Sequence, residues 1–141
     1  HQHSEIVNLY IFDTFGSGDT RNKVVDMFIK NIIAGNSISI PFNEIRINLS
    51  DVQPLCRSLI KSIDLPQGSY SLKSSDTISL EDLAKMIMEI SNKKVDILKV
   101  TTGSNYFDEI EIFPENIFLE DPSYNLGDSI KNRIKELEDA I

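Results

Sequence analysis

The sequence predicts a single α/β domain, α+β-like in its ordering: a small mixed sheet with about four helices. Three observations predict it. Apolar runs of strand length alternate with segments whose apolar residues recur at helical spacing. The 141 residues fit one domain. A hydrophobic content of 40% supplies a real but small core.

The elements follow in order. Ile6 to Phe12 is a nearly unbroken β-favouring run, which predicts a buried strand. The polar run Asp13-Thr14-Phe15-Gly16-Ser17-Gly18-Asp19-Thr20-Arg21-Asn22-Lys23 comes next. A glycine-bearing loop where a strand ends and a helix begins is where α/β proteins place ligands, and Arg21 and Lys23 suit an anion. The same composition also makes an ordinary turn. Val24, Val25, Phe28, Ile29, Ile32 and Ile33 then repeat as a helix from Lys23 to Ala34, and Gly35 stops it. Ser37 to Ile40 is a short strand closed by Pro41, and Ile45 to Leu49 alternates as a half-exposed strand. Asp51 caps a helix that tolerates Pro54 in its first turn. Leu55, Leu59, Ile60 and Ile63 give that helix its apolar face.

Pro66-Gln67-Gly68 is a turn before a strand at Tyr70 to Lys73. Ser79 and Asp82 stand as a capping box, with Ile78 and Leu83 as a hydrophobic staple. Leu80, Leu83, Ala84, Ile87 and Met88 form the face of the helix behind it. Val95 to Val100 is a strand. The stretch from Thr101 to Asn125 is irregular, with a short strand near Ile110 to Phe113. The stripe Leu126, Ile130, Ile134, Leu137, Ile141 predicts a terminal amphipathic helix.

The bulk numbers exclude several function classes. A net charge of −8 argues against non-specific nucleic-acid binding and against an anionic membrane surface. No apolar run reaches the ~18 residues a spanning helix needs. The single cysteine, Cys56, forms no intrachain disulfide and reads as a small packing residue in a reducing cytoplasm. His1-Gln2-His3-Ser4 is polar and reads as a remnant or a cut edge, leaving 5–141 as the domain. Two histidines there are too few ligands for a defined metal site, and they leave no Ser-His-Asp arrangement. The acids Asp108, Glu109, Glu111, Glu115, Glu120 and Asp121 fit no calcium loop and read as a solvated face.

The segment LYIFDTFGSGDTRNKVVDMFIKNIIAGNSISI resembles the extended short-chain dehydrogenase/reductases, NAD(P)-dependent enzymes that epimerise or dehydrate nucleotide sugars. The carriers are Phe12-Asp13, Phe15-Gly16 and Asp19-Thr20-Arg21, in the family's order just after its catalytic motif. Arg46, then Asp51-Val52, then LPQGSYSLKSSDTISLEDLAKMIMEI and the closing DEIEIFP…PSYNLGDSIKNRIKEL continue the likeness over nearly the whole chain.

The resemblance implies the C-terminal substrate-binding region of such an enzyme. This chain has neither a Gly-x-Gly-x-x-Gly turn nor a Tyr-x-x-x-Lys pair, which in the family lie upstream, in the Rossmann half. NAD or NADP is therefore expected to serve the full-length parent and not to bind this chain alone. The expected partners are a nucleotide-diphosphate sugar, the N-terminal Rossmann portion of the same protein and a second copy in a homodimer. Cell-surface polysaccharide (lipopolysaccharide) sugar biosynthesis is the expected setting.

The resemblance also implies site residues. Arg46 matches the family's phosphate-binding Arg, and Arg21 is a second guanidinium suited to diphosphate; either also serves as a surface Arg. Lys23 holds an anion or simply begins the helix. Asp13 faces the sugar nucleotide or bonds its own backbone in a turn. Ile40, Pro41 and Phe42 match the strand beside the nucleotide base, or pack as core. Two departures favour an alternative, a non-catalytic binding or oligomerisation module. The segment around Arg46 is shorter than in the family, and Tyr106-Phe107-Asp108 stands where a second phosphate-binding Arg is usual.

Overall fold

The computed structural model describes residues 5–74, 77–101, 117–119 and 124–141. The expectations for residues 1–4, for a strand at 110–113, for Tyr106-Phe107-Asp108 and for the acids between 108 and 121 lie outside the described residues.

In chain order the elements are β1 (Val7–Ile11), β2 (Asp13–Phe15), α1 (Val24–Ile33), β3 (Ile38–Pro41), β4 (Arg46–Ile47), β5 (Leu49–Asp51) and α2 (Val52–Lys61). A 3₁₀ turn, Ser62–Asp64, leads to β6 (Gly68–Lys73), β7 (Ile78–Ser79), α3 (Leu80–Ser91), β8 (Ile97–Val100), β9 (Ile117–Leu119) and α4 (Leu126–Asp139). The α/β class and the four helices stand as expected among the described residues. The sheet is not one mixed unit: the described strands pair as β1-β6-β9, β2-β5 and β3-β8, all parallel, and as antiparallel β4-β7.

The core lies where α1, α3 and α4 meet the strands. Phe28, Ile29 and Ile32 of α1, Leu83 and Ile87 of α3, and Ile130 and Ile134 of α4 close on Phe15, Ile38, Ile40 and Leu49. Each helix end has a local cause. Gly35 at φ 77° closes α1 by donating to the Ile32 carbonyl while Asn36 donates to that of Asn31, a Schellman ending. Asp51 caps α2 by accepting from the Gln53 amide. The Ser79 hydroxyl accepts from the Asp82 amide, as a capping box requires. The Asp82 carboxylate closes the box differently, accepting from that same hydroxyl.

Several expectations are corrected. The first strand is not buried: Ile6 is 56% exposed and Ile11 47%, because the helices pack on β3 and β5 instead. Its parallel sheet thus keeps an apolar, open side. Asp13 to Phe15 is strand, paired in parallel with Leu49 to Asp51, rather than the start of a loop. The expected strand Ile45 to Leu49 is two strands. They part at Asn48, whose buried amide donates to the Ser74 carbonyl and accepts from the Ser74 amide. On α2, Ile60 is exposed, as are Ile63 beyond it and Cys56, because Leu55 and Ser58 face inward. β9 falls in the stretch read as irregular, and Ile141 lies past the end of α4. No helix among the described residues is long and apolar enough to cross a membrane.

Candidate functional site

The loop between β2 and α1 is built by its glycines. Gly16 (φ 154°) lies so close to α2 that a Cβ there would stand 2.5 Å from Val52 Cγ1. A small cavity of about 180 Å³ opens beside it, between Thr14, Phe15, Asp19, Arg21 and Val52. Arg21 forks onto Asp19 with Nε–Oδ1 2.8 Å and Nη2–Oδ2 2.7 Å, and reaches Thr14 Oγ1 at 3.3 Å. The Arg21 guanidinium and backbone amide hold the Asp19 carboxyl well below the usual carboxylate range, and the same bond raises Arg21. Lys23 Nζ lies 4.0 Å from the exposed carboxylate of Asp13.

A second, larger cleft of about 370 Å³ lies between the end of β3 and the start of α3. Ile40, Pro41, Phe42 and Glu44 form one wall; Glu81 and Lys85 of α3, with Lys99 of β8, form the other. Phe42 is 65% exposed, an aromatic ring presented to the solvent. Glu81 lies between Lys85 (2.8 Å) and Lys99 (2.6 Å), and these ammonium groups push its carboxyl down to about 2. Ile40 is buried core as well as cleft wall. Arg46 is tied to this side of the molecule. Its Nη1 donates to Glu44 Oε1 at 2.9 Å, while Nε and Nη2 donate to the hydroxyl and carbonyl of Thr77, each at 2.9 Å.

The candidate residues therefore fall into two groups. Asp13, Arg21 and Lys23 stand at or beside the β2–α1 loop; Ile40 and Phe42 line the β3–α3 cleft, and Arg46 stands beside it, bonded to Glu44 of its wall. Sequence reading missed the residues that hold the loop from behind. Arg133 of α4 is buried and pairs with buried Asp26 of α1 through Nε–Oδ1 at 2.8 Å and Nη2–Oδ2 at 2.6 Å. The available signal was a lone charge of opposite sign on the apolar stripe of each helix: Asp26 beside Val25 and Ile29, and Arg133 beside Ile130 and Ile134.

No protein-family model and no curated protein sequence matches this chain. Solved structures do. UDP-N-acetylglucosamine 4-epimerase from Methanobrevibacter ruminantium, in complex with UDP-N-acetylmuramic acid, matches with a TM-score of 0.72 at 16% identity. That match covers 96% of this chain and 46% of the epimerase. UDP-glucose 4-epimerase from Thermus thermophilus, in complex with NAD, matches with a TM-score of 0.72 at 12% identity over 96% of this chain and 47% of its own. RMD from Pseudomonas aeruginosa, complexed with NADPH, matches with a TM-score of 0.76 at 11% identity over 97% of this chain and 50% of its own.

At these identities the likeness shows the fold. It is the fold of about half of each of these chains, solved with UDP-N-acetylmuramic acid, with NAD and with NADPH respectively. More narrowly, UDP-sugar 4-epimerases recur among the neighbours, and the chain spans about half of their length.

The Gly18 amide already donates to the Glu136 carboxylate, so the backbone donor that a glycine turn offers a dinucleotide's pyrophosphate is taken here. No cofactor contact is assigned to the described residues.

Proposed function

We propose that this chain is the sugar-nucleotide-binding part of an NAD(P)-dependent nucleotide-sugar epimerase, dehydratase or ketoreductase. Its expected setting is the cytoplasmic synthesis of cell-surface polysaccharide sugars. The observation that carries this reading is the shared fold: solved nucleotide-sugar epimerases match nearly all of the chain. Neighbours are described with UDP-glucose or UDP-N-acetylmuramic acid bound, which supports a nucleotide-diphosphate sugar as the ligand class.

In this reading the base lies against Phe42 in the β3–α3 cleft, a flat apolar surface suited to stacking. Arg46 and Arg21 are the cations this reading gives the diphosphate, each exchanging a present partner for it: Glu44 or Thr77 at Arg46, Asp19 at Arg21. Asp13, at the start of β2, is a hydrogen-bond acceptor for sugar hydroxyls, and Lys23 balances its charge. The cofactor, held by a Rossmann portion of the same protein, supplies hydride transfer to and from the sugar. A tyrosine acid/base on that portion assists it. The open apolar side of β1 is suited to cover by such a portion or by a second copy of the chain.

One observation favours the alternative of a non-catalytic module. Each candidate cation already has a carboxylate of its own: Arg21 has Asp19, Lys23 has Asp13, and Arg46 has Glu44. Diphosphate must displace these carboxylates to bind.

Calorimetric titration with UDP-glucose separates the readings. The nucleotide-sugar reading expects saturable binding that Arg46→Ala weakens about tenfold or more, the scale of a lost charged hydrogen bond. An absence of binding at millimolar ligand overturns it and leaves the module.

A further inference from the structure

We infer that Arg133 and Glu136, one helical turn apart on α4, are positioning residues for the loop that presents Arg21. The geometry is a relay. Asp26 fixes the buried guanidinium of Arg133 through two hydrogen bonds. Two further Arg133 donors reach the loop side: Nη2 the Asp19 carbonyl at 2.9 Å, and Nη1 Glu136 Oε2 at 2.9 Å. The other Glu136 oxygen, Oε1, accepts from the Ser17 hydroxyl at 3.0 Å and the Gly18 amide at 3.2 Å.

Three consecutive loop residues, Ser17, Gly18 and Asp19, are thus held by two side chains more than a hundred positions away in the sequence. Asp19 in turn sets the guanidinium of Arg21 through its forked pair. The loop has a turn of its own, with Gly18 at φ 77° and the Asp19 amide donating to the Gly16 carbonyl at 3.2 Å. The α4 pair anchors that turn to the helix layer.

The arrangement also chooses where an anion can go. The Gly18 amide, an obvious donor at a glycine turn, is occupied by a carboxylate of the protein itself. An incoming phosphate is therefore directed to the Arg21 side of the loop. Its bearing on ligand binding rests on the sugar-nucleotide reading; the holding of the loop does not.

The test compares wild type with Glu136→Ala by amide exchange and by the Arg21 Nε–H resonance, each without ligand and with UDP. The expected result in Glu136→Ala has three parts. Gly18 amide protection drops at least tenfold, the Arg21 Nε–H signal broadens, and the Leu83 and Ile87 amides of the core keep their protection. UDP binding weakens several-fold. Ser17→Ala, which removes only one of the loop bonds, gives a smaller change in the same direction. Unchanged Gly18 and Arg21 signals in both variants overturn the inference. So does loss of core protection in step with the loop in both variants, since that is the mark of general destabilisation. A wild type that binds no UDP overturns the sugar-nucleotide reading instead, and the ligand-free spectra still decide the positioning claim.

Discussion

Asp26 and Arg133 each have side chains only 4% exposed, and neither has water to fall back on. Removing Arg133 leaves the buried Asp26 carboxylate uncompensated, whereas Arg133 keeps Glu136 when Asp26 is removed. Arg133→Met is therefore expected to destabilise the chain by about 3–5 kcal/mol in urea unfolding, and Asp26→Asn by less. The double variant Asp26→Leu/Arg133→Met should recover most of that loss, because an apolar pair of similar volume carries no desolvation penalty. A double variant as unstable as the singles would contradict this.

Glu81 makes the opposite case at the surface. Its ordinary value is 4.5, and Lys85 and Lys99 push it down to about 2 in the folded chain. The folded value is depressed, so its contribution is present above pH 4.5 and fades as the pH falls towards 2. A carbon-detected titration of the Glu81 carboxyl should give a midpoint near 2, and one near 4.5 would show that the two lysines do not hold it. Only part of these pairs was legible in the sequence: Glu81–Lys85 and Arg133–Glu136 are helical neighbours four and three positions apart. Lys99 and Asp26 lie on other elements, and only the folded topology brings them to Glu81 and Arg133.

The elements themselves were more legible where they are long. The four helices among the described residues announce themselves by apolar spacing, and the stop at Gly35 and the caps at Asp51 and Ser79 act as their residue types require. The strands of two or three residues, β2, β4, β5, β7 and β9, are too short to show a period. Their pairing is decided by what lies beside them. Asn48 illustrates this: an alternating apolar run was interrupted by one buried amide that binds Ser74.

Two substitutions test the element level. Ser79→Ala should cost about 1 kcal/mol by removing the α3 cap, measured by chemical denaturation. Gly16→Ala should cost more, because its new methyl meets Val52 at the start of α2. Adding Val52→Ala should restore part of that loss, and no restoration would place the cost in the backbone angle of Gly16 alone.

At the scale of the whole molecule, the fold was legible through the order of landmarks from Phe12-Asp13 to the last helix. The shared fold with nucleotide-sugar epimerases bears that order out. The site was legible only as residue types. Sequence order could not say that Phe42 and Arg46 share one side of the molecule while Arg21 sits at another loop. Nor could it say that β1 keeps an apolar side open.

The central claim is that this half-length chain holds a nucleotide diphosphate between the β3–α3 cleft and the β2–α1 loop. The most direct measurement is a two-dimensional amide spectrum of the chain titrated with UDP. Saturable shifts concentrated at Phe42, Arg46 and the 16–21 loop are expected, with the exposed end of α2 around Ile60 unmoved. Shifts confined to other surfaces, or none at millimolar UDP, would contradict it.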